Sequence, residues 1–278
     1  MMLAAVTISL VAASRGGPFI YWDDLTAGCR QAAELGFDAV EVFAPGPEAA
    51  PNLVAVLREY GLKLAAVGTG AGWVMQRLSL TSPDESFRRR AADFIHTLID
   101  WGGPLGAPAI IGSMQGRHGD GVTPEQARDW LRWSLDELGE AARRYQVPLL
   151  YEPLNRYETN LVNTQAAGVE LLHSLQTDNV RLLADLFHMN IEEADIAAGL
   201  HAGGRHIGHV HFVDSNRRPV GCGHLNFGPI MSALREIGFG GYLSAEALPW
   251  PDSATAAAQT LRAFRYWTGT TPAAADIP

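Results

Sequence analysis

Lysine is nearly missing from this chain. Lys63 is the only one, and the other twenty basic residues are arginine. A Schiff-base aldolase or a pyridoxal enzyme needs a lysine amine at its reacting centre. Lys63 instead begins an apolar run, at the strand end away from the face where a barrel puts its chemistry, so that class is excluded. Cysteine is scarce as well: Cys29 and Cys222 are too few for a disulfide framework, and a reducing, cytoplasmic setting is expected. Positive charge is in deficit, with a formal net charge of −9, which disfavours nucleic acid as a partner because phosphate contacts need clustered Lys and Arg. No apolar run approaches the ~20 residues of a membrane-spanning helix. The stretch from Leu3 to Ala13 is apolar and ends in small residues, but it lacks a basic leader and is interrupted by Thr7 and Ser9. It reads as a first strand rather than a signal peptide.

What is present is a regular alternation. The chain has 278 residues, 47% of them hydrophobic and 18% charged, enough for one large α/β core; a (β/α)8 barrel takes about 250 residues. Nearly continuous apolar runs suit strands buried on both faces of a parallel sheet: 3–10, 39–43, 63–68, 109–113, 148–152, 181–186, 208–213 and 241–245. Segments with helical spacing separate them: 24–35, 49–60, 83–101, 124–145, 164–176, 191–199, 227–237 and 253–267. Ser82 before Pro83 and Thr123 before Pro124 are helix-start signals, and glycines in ELGF, EYGL and EIGF mark helix ends. Eight units without a linker or composition break predict a single (β/α)8 TIM barrel over residues 1–268, with 269–278 as a disordered tail. The glycine cluster at Gly68–Gly72 is a poor dinucleotide fingerprint: its spacing is wrong and no helix is expected promptly after it.

Four side chains able to bind a metal recur at the ends of the later strands. Glu152, Asp185, His211 and Glu246 are spaced by 33, 26 and 35 residues, one strand-loop-helix unit each. Ligands arriving once per unit at the same strand end are what a metal site on the rim of a parallel barrel requires. Singly, each could be a helix cap, an ion-pair member or a structural histidine. Together, three acids converging on one barrel mouth would repel one another without a cation. Oxygen-rich coordination with one nitrogen favours a single divalent ion, Mn²⁺ first, with Mg²⁺ or Co²⁺ compatible, over structural zinc. Around these stand Asn155, Arg156 and Glu158 in EPLNRYETN, His188 in DLFHMNIEE, and Arg217 and Arg218 in HFVDSNRRP. His188 and Arg217 flank the metal and can stabilise a developing oxyanion, while Arg156 and Arg218 read as partners of acids on the rim. Glu192 and Glu193 are expected to open the next helix. His209 shares strand parity with His211 and is expected beneath it; His224 reads as structural. Phe43, Trp73 and Trp250 lie in strand-end loops, where aromatics usually pack but also receive the apolar face of a sugar.

The strings EPLNRYETNLVNT, DLFHMNIEE, HVHFVDSNRR and YLSAEAL resemble the ketose 3-epimerases of the D-tagatose and D-psicose type, within the xylose-isomerase-like barrel superfamily. The likeness is dense from Leu149 to Leu248 and reduces to the strand-helix rhythm before that. It implies a divalent metal held by Glu152, Asp185, His211 and Glu246, with Glu152 and Glu246 as acid and base, and Glu158, His188 and Arg217 binding the sugar. It also implies inversion at C3 of a free ketohexose or ketopentose through a cis-enediolate, in a homodimer or homotetramer. GCGHLNF departs from that pattern and is similar to hydroxypyruvate isomerases and sugar-phosphate enzymes. A sugar-phosphate epimerase, with Arg218 and Gly221–Gly223 gripping phosphate, and a hydroxypyruvate or aldose-ketose isomerase therefore stay open. A metal-dependent DNA-repair endonuclease is more distant, because the third and fourth strand ends, VGTGAG and IIGSMQG, offer no histidine.

Overall fold

A computed structural model describes residues 1–269. In chain order the elements are β1 (Leu3–Ser9), β2 (Tyr21–Trp22), α1 (Leu25–Leu35), β3 (Ala39–Phe43), α2 (Leu53–Tyr60), β4 (Lys63–Gly68), α3 (Ala71–Gln76), α4 (Glu85–Gly102), β5 (Ala109–Ile111), α5 (Pro124–Arg143), β6 (Leu149–Tyr151), α6 (Gln165–His173), β7 (Val180–Asp185), α7 (Leu186–Glu192), α8 (Ile196–Gly203), β8 (Ile207–His211), α9 (Phe227–Glu236), β9 (Tyr242–Ala245) and α10 (Ser253–Thr268). The sheet runs β1-β3-β4-β5-β6-β7-β8-β9 and closes by pairing β9 with β1, all parallel. This is a closed eight-stranded barrel ringed by helices, a TIM barrel. The extra strand β2 extends the upper end of β1, Ile8 opposite Tyr21 and Ser9 opposite Trp22.

Local chemistry explains most boundaries. Thr123 and Gln126 form a reciprocal capping box at the start of α5, and Gly36 and Gly61 end α1 and α2 in the left-handed conformation. Other boundaries differ from the sequence-based expectation. Asp84 rather than Ser82 caps α4, because its carboxylate accepts from the Ser86 N–H at 2.8 Å; Ser82 instead accepts from the Asp84 N–H. The helix expected over 191–199 is replaced by α7 and α8, since the Asp185 side chain caps a helix beginning at the very end of β7. Glu192 and Glu193 consequently close α7 rather than open a helix. A short helix, α3, does begin within the glycine cluster, at Ala71. The expected tail lies outside the described residues except for Gly269, which caps α10.

Side-chain alternation along the strands positions the site. Ala5, Ala39 and Ala65, with Tyr242 against them, fill the lower barrel, and Ala66, Ile110, Leu150 and Leu183 form a separate small core. Two residues further on, the same inward parity carries Leu150 to Glu152, Leu183 to Asp185, His209 to His211 and Ser244 to Glu246. Every one of these polar side chains is buried. The polar mouth thus arises from a step of two on each strand.

Candidate active site

The four expected ligands meet. One atom from each of Glu152, Asp185, His211 and Glu246 lies within 4.8 Å of the others. Ligand atoms at 2.0–2.2 Å from one ion sit up to about 4.4 Å apart, so the cluster has the dimensions of a single coordination sphere. The His211 Nδ1 stands 3.1 Å from Asp185 Oδ2, 3.4 Å from Glu246 Oε2 and 3.5 Å from Glu152 Oε1. Asp185 divides its oxygens: Oδ1 accepts the Phe187 and His188 N–H groups at the head of α7, leaving Oδ2 toward the cluster. Gly112 makes room for Glu152, for a Cβ there would come 2.5 Å from Glu152 Oε2. Gln115 holds the Glu152 backbone by donating to its carbonyl at 2.9 Å. The residues fit a hard or intermediate divalent ion: three carboxylates and one imidazole, all buried, with Glu152 Oε1 lacking any hydrogen-bond partner.

A carboxylate that the sequence reading missed lies beneath. Glu41, on β3 across the barrel, accepts from His211 Nε2 at 3.2 Å and from His209 Nε2 at 2.8 Å. That contact commits Nε2 of His211 to a proton and turns Nδ1 toward the cluster, as an outer carboxylate does for a metal-bound histidine. His209 is where its parity placed it, buried beneath His211. The only signal for Glu41 was a lone acid at an inward position of the run AVEVF.

Charge in this pocket is strongly coupled. Burial works against ionisation of Glu41, but the adjacent His211 and His209 overcome it and hold its carboxyl well below the usual range. Burial likewise opposes ionisation of Asp185; His188, the hydrogen bond from His211 and the charge of Arg217 outweigh it and depress its pKa. Glu246 goes the other way. Burial raises it more than His211 and Arg217 lower it, and Glu152 and Asp185 add repulsion, so it titrates at about 7. Burial lowers His211, yet the carboxylates of Glu246, Glu41 and Asp185 drive it well above an ordinary histidine.

The three expected substrate contacts surround this cluster. The Asn155 N–H donates to His188 Nδ1 at 3.2 Å, so the ring proton sits on Nε2, which is buried, without a partner and 3.8 Å from both Glu152 and Asp185. Arg217 donates to Glu246 Oε2 at 2.6 Å and stacks on Phe187, 4.9 Å from the ring centre. Glu158 accepts from Asn155 Nδ2 at 3.1 Å and faces Arg217 at 3.9 Å. These three, with Glu152 and Glu246, line a cavity of about 300 Å³ that also takes in Phe43, Thr69, Gly70 and Ser113.

The two elements of the alternative phosphate site are engaged elsewhere as they stand. In the Gly221–Gly223 loop the Gly221 N–H donates to Asp214 Oδ2 at 2.9 Å, and Gly223 packs so tightly on that carboxylate that a Cβ would lie 2.2 Å from Oδ1. Arg218 points elsewhere, onto the Trp250 ring at 4.3 Å. Arg156 behaves as read, paired with Glu192 at 2.9 Å, and His224 is exposed at the surface. Among the described residues no helix is long and apolar enough to cross a membrane.

This barrel and donor set define a class, and the sequence comparisons agree with it. The chain belongs to the xylose isomerase-like TIM barrel family, whose model matches residues 29–265. It is 32% identical over 221 residues to an L-ribulose 3-epimerase of Mesorhizobium japonicum, covering 77% of this chain and 72% of that one. A D-psicose 3-epimerase of Ruminiclostridium cellulolyticum is 31% identical over 243 residues, 82% of this chain and 81% of its own. Among solved structures, the D-psicose 3-epimerase of Clostridium cellulolyticum with D-tagatose superposes with a TM-score of 0.78 at 23% identity, over 95% of this chain and 99% of that one, a likeness of fold.

Proposed function

We propose that this enzyme is a divalent-metal-dependent ketose 3-epimerase. One observation carries the reading: two glutamates, Glu152 and Glu246, share a single ligand cluster that also borders the only partnerless histidine N–H aimed into the cavity, among the described residues. The names of the relatives, 3-epimerases of L-ribulose and D-psicose, support the same chemistry.

Glu152, Asp185, His211 and Glu246 would hold a divalent cation, which would supply Lewis acidity next to the sugar carbonyl. One glutamate takes the C3 proton from one face of the ketose. The other delivers a proton to the opposite face of the flattened cis-enediolate, and the roles exchange when the reaction runs backwards. His188 donates its Nε2 proton to a sugar oxygen, and the guanidinium of Arg217 offsets the charge that develops there. Glu158 accepts from a sugar hydroxyl. Glu41 and His209 act through His211, holding its ring in one orientation.

The test is a panel of D-fructose, D-tagatose, D-psicose and L-ribulose, incubated with the Mn²⁺-loaded protein and resolved by chromatography. Formation of the C3 epimer of at least one member is expected. Conversion to an aldose alone would move the reaction to C1 and C2 and overturn the assignment.

A further inference from the structure

The cavity lined by Glu152 and Glu246 does not stand alone. A second cavity of about 470 Å³ adjoins it, and Ser113 and Glu158 line both. The helix α3 divides them: Ala71 and Val74 face the first, Trp73 and Arg77 the second. At about 300 Å³ the first is at the small end of ligand pockets. The second is walled by two aromatics, Trp73 and Tyr157, together with Arg77, Arg117 and Asp120. Tyr157 is 77% exposed, so its ring is free to meet a ligand at the mouth of this cavity. Arg77 stacks on Trp73 at 5.1 Å. Arg77 and Arg117 are balanced by Asp120 and Glu158, so the walls carry no excess charge for an anion. They offer the exposed Tyr157 ring, the Trp73 ring with Arg77 on one face, and donors and acceptors from side chains of both signs, which matches a ring with C–H faces and hydroxyl edges.

We propose that the second cavity is a subsite for a neutral glycosyl group, so that the substrate is a ketose joined to a second sugar. The inference rests on the ketose 3-epimerase reading and narrows its substrate class. A free ketose occupies the inner cavity alone; a glycosylated one also meets the aromatic walls beyond Glu158.

The test compares D-fructose with two reducing disaccharides that carry glucose at opposite ends of the fructose unit, trehalulose and isomaltulose, using the Mn²⁺-loaded protein in D₂O. Expected is a kcat/KM for at least one disaccharide roughly ten-fold above D-fructose, a gain that Tyr157→Ala removes, as truncating an aromatic anchor does, while D-fructose turnover stays unchanged. Tyr157 is a surface residue, and a thermal melt checks that the variant folds. Disaccharides no better than D-fructose, or a Tyr157→Ala loss shared by all three compounds, would overturn the subsite. Preference for D-fructose 6-phosphate over both disaccharides would also overturn it and assign the cavity to an anion. A changed molecular mass for Tyr157→Ala, with selectivity intact, would overturn it in favour of a contact with a second copy of the chain. Absence of turnover with every ketose, the monosaccharides included, would instead sink the epimerase reading itself.

Discussion

Glu152 and Glu246 are both buried strand-end glutamates, yet their surroundings differ. Glu246 is bonded to Arg217 at 2.6 Å, whereas Glu152 keeps an oxygen without a partner. If each moves a proton on one sugar face, Glu152→Gln and Glu246→Gln should both lower kcat by about 10²–10⁴-fold, the usual worth of a general acid or base; NMR assays of ketose exchange will read this, and wild-type rates in either variant would remove the pair from the mechanism. Metal uptake should depend on pH. Glu246 is raised to about 7 and His211 is raised well above normal, so before a cation enters, the folded state holds these protons more tightly than the unfolded chain does. The metal-free folded protein therefore loses the Glu246 contribution to stability as pH climbs from the ordinary carboxylate range through about 7, and the His211 contribution over a higher range, and a cation has to expel the same protons. Mn²⁺ affinity of chelator-stripped protein should rise between pH 6 and 8, with proton release visible by calorimetry in buffers of different ionisation enthalpy; a flat profile would contradict this. Glu41→Gln should weaken Mn²⁺ binding about 10–100-fold, the range for loss of an outer-shell carboxylate, measured by calorimetry on the unreacting protein. The four candidate ligands were readable as a set because each is a chelating side chain ending an apolar run. Glu41 was not readable as their support, since its partner His211 is 170 residues away and only barrel closure joins them.

At the level of elements, the loop between β8 and α9 decides where Arg217 goes. Asp214 staples it, accepting the N–H groups of Ser215, Gly221 and Leu225 with one buried carboxylate. Arg217 itself sits on a turn with φ 59°, and its carbonyl accepts from the Leu248 N–H beyond β9. Asp214→Ala would strand these donors at about 1–3 kcal/mol for each buried one left unsatisfied. We expect a clearly lowered Tm by calorimetry together with a kcat deficit like that of Arg217→Ala; unchanged melting would mean that the loop holds itself. The GCG string looked like a phosphate grip because a sequence does not reveal which way a backbone N–H points. Here an aspartate seven residues earlier claims it. Helix limits were legible where caps are local, as at Thr123, and illegible at α7, where a candidate metal ligand doubles as the cap.

On the scale of the whole molecule, eight strands bring to one mouth four candidate ligands spread over nearly a hundred residues of chain. The rhythm of apolar runs made the barrel legible; the second cavity was not, because it depends on α3 and on loops whose lengths say nothing of their path. A cation bridging β6, β7, β8 and β9 should tie this half of the barrel together. Mn²⁺ at a hundred times its Kd would stabilise the fold by about 2.7 kcal/mol, a rise of roughly 4–5 °C in Tm for a chain of this size. A melt indifferent to Mn²⁺ would argue against binding at the cluster. The most direct measurement for the whole account is NMR of a ketose turned over in D₂O, with and without chelator. Deuterium should appear at C3 of both epimers only when the divalent ion is present; product free of C3 deuterium, or exchange that survives complete metal removal, would contradict it.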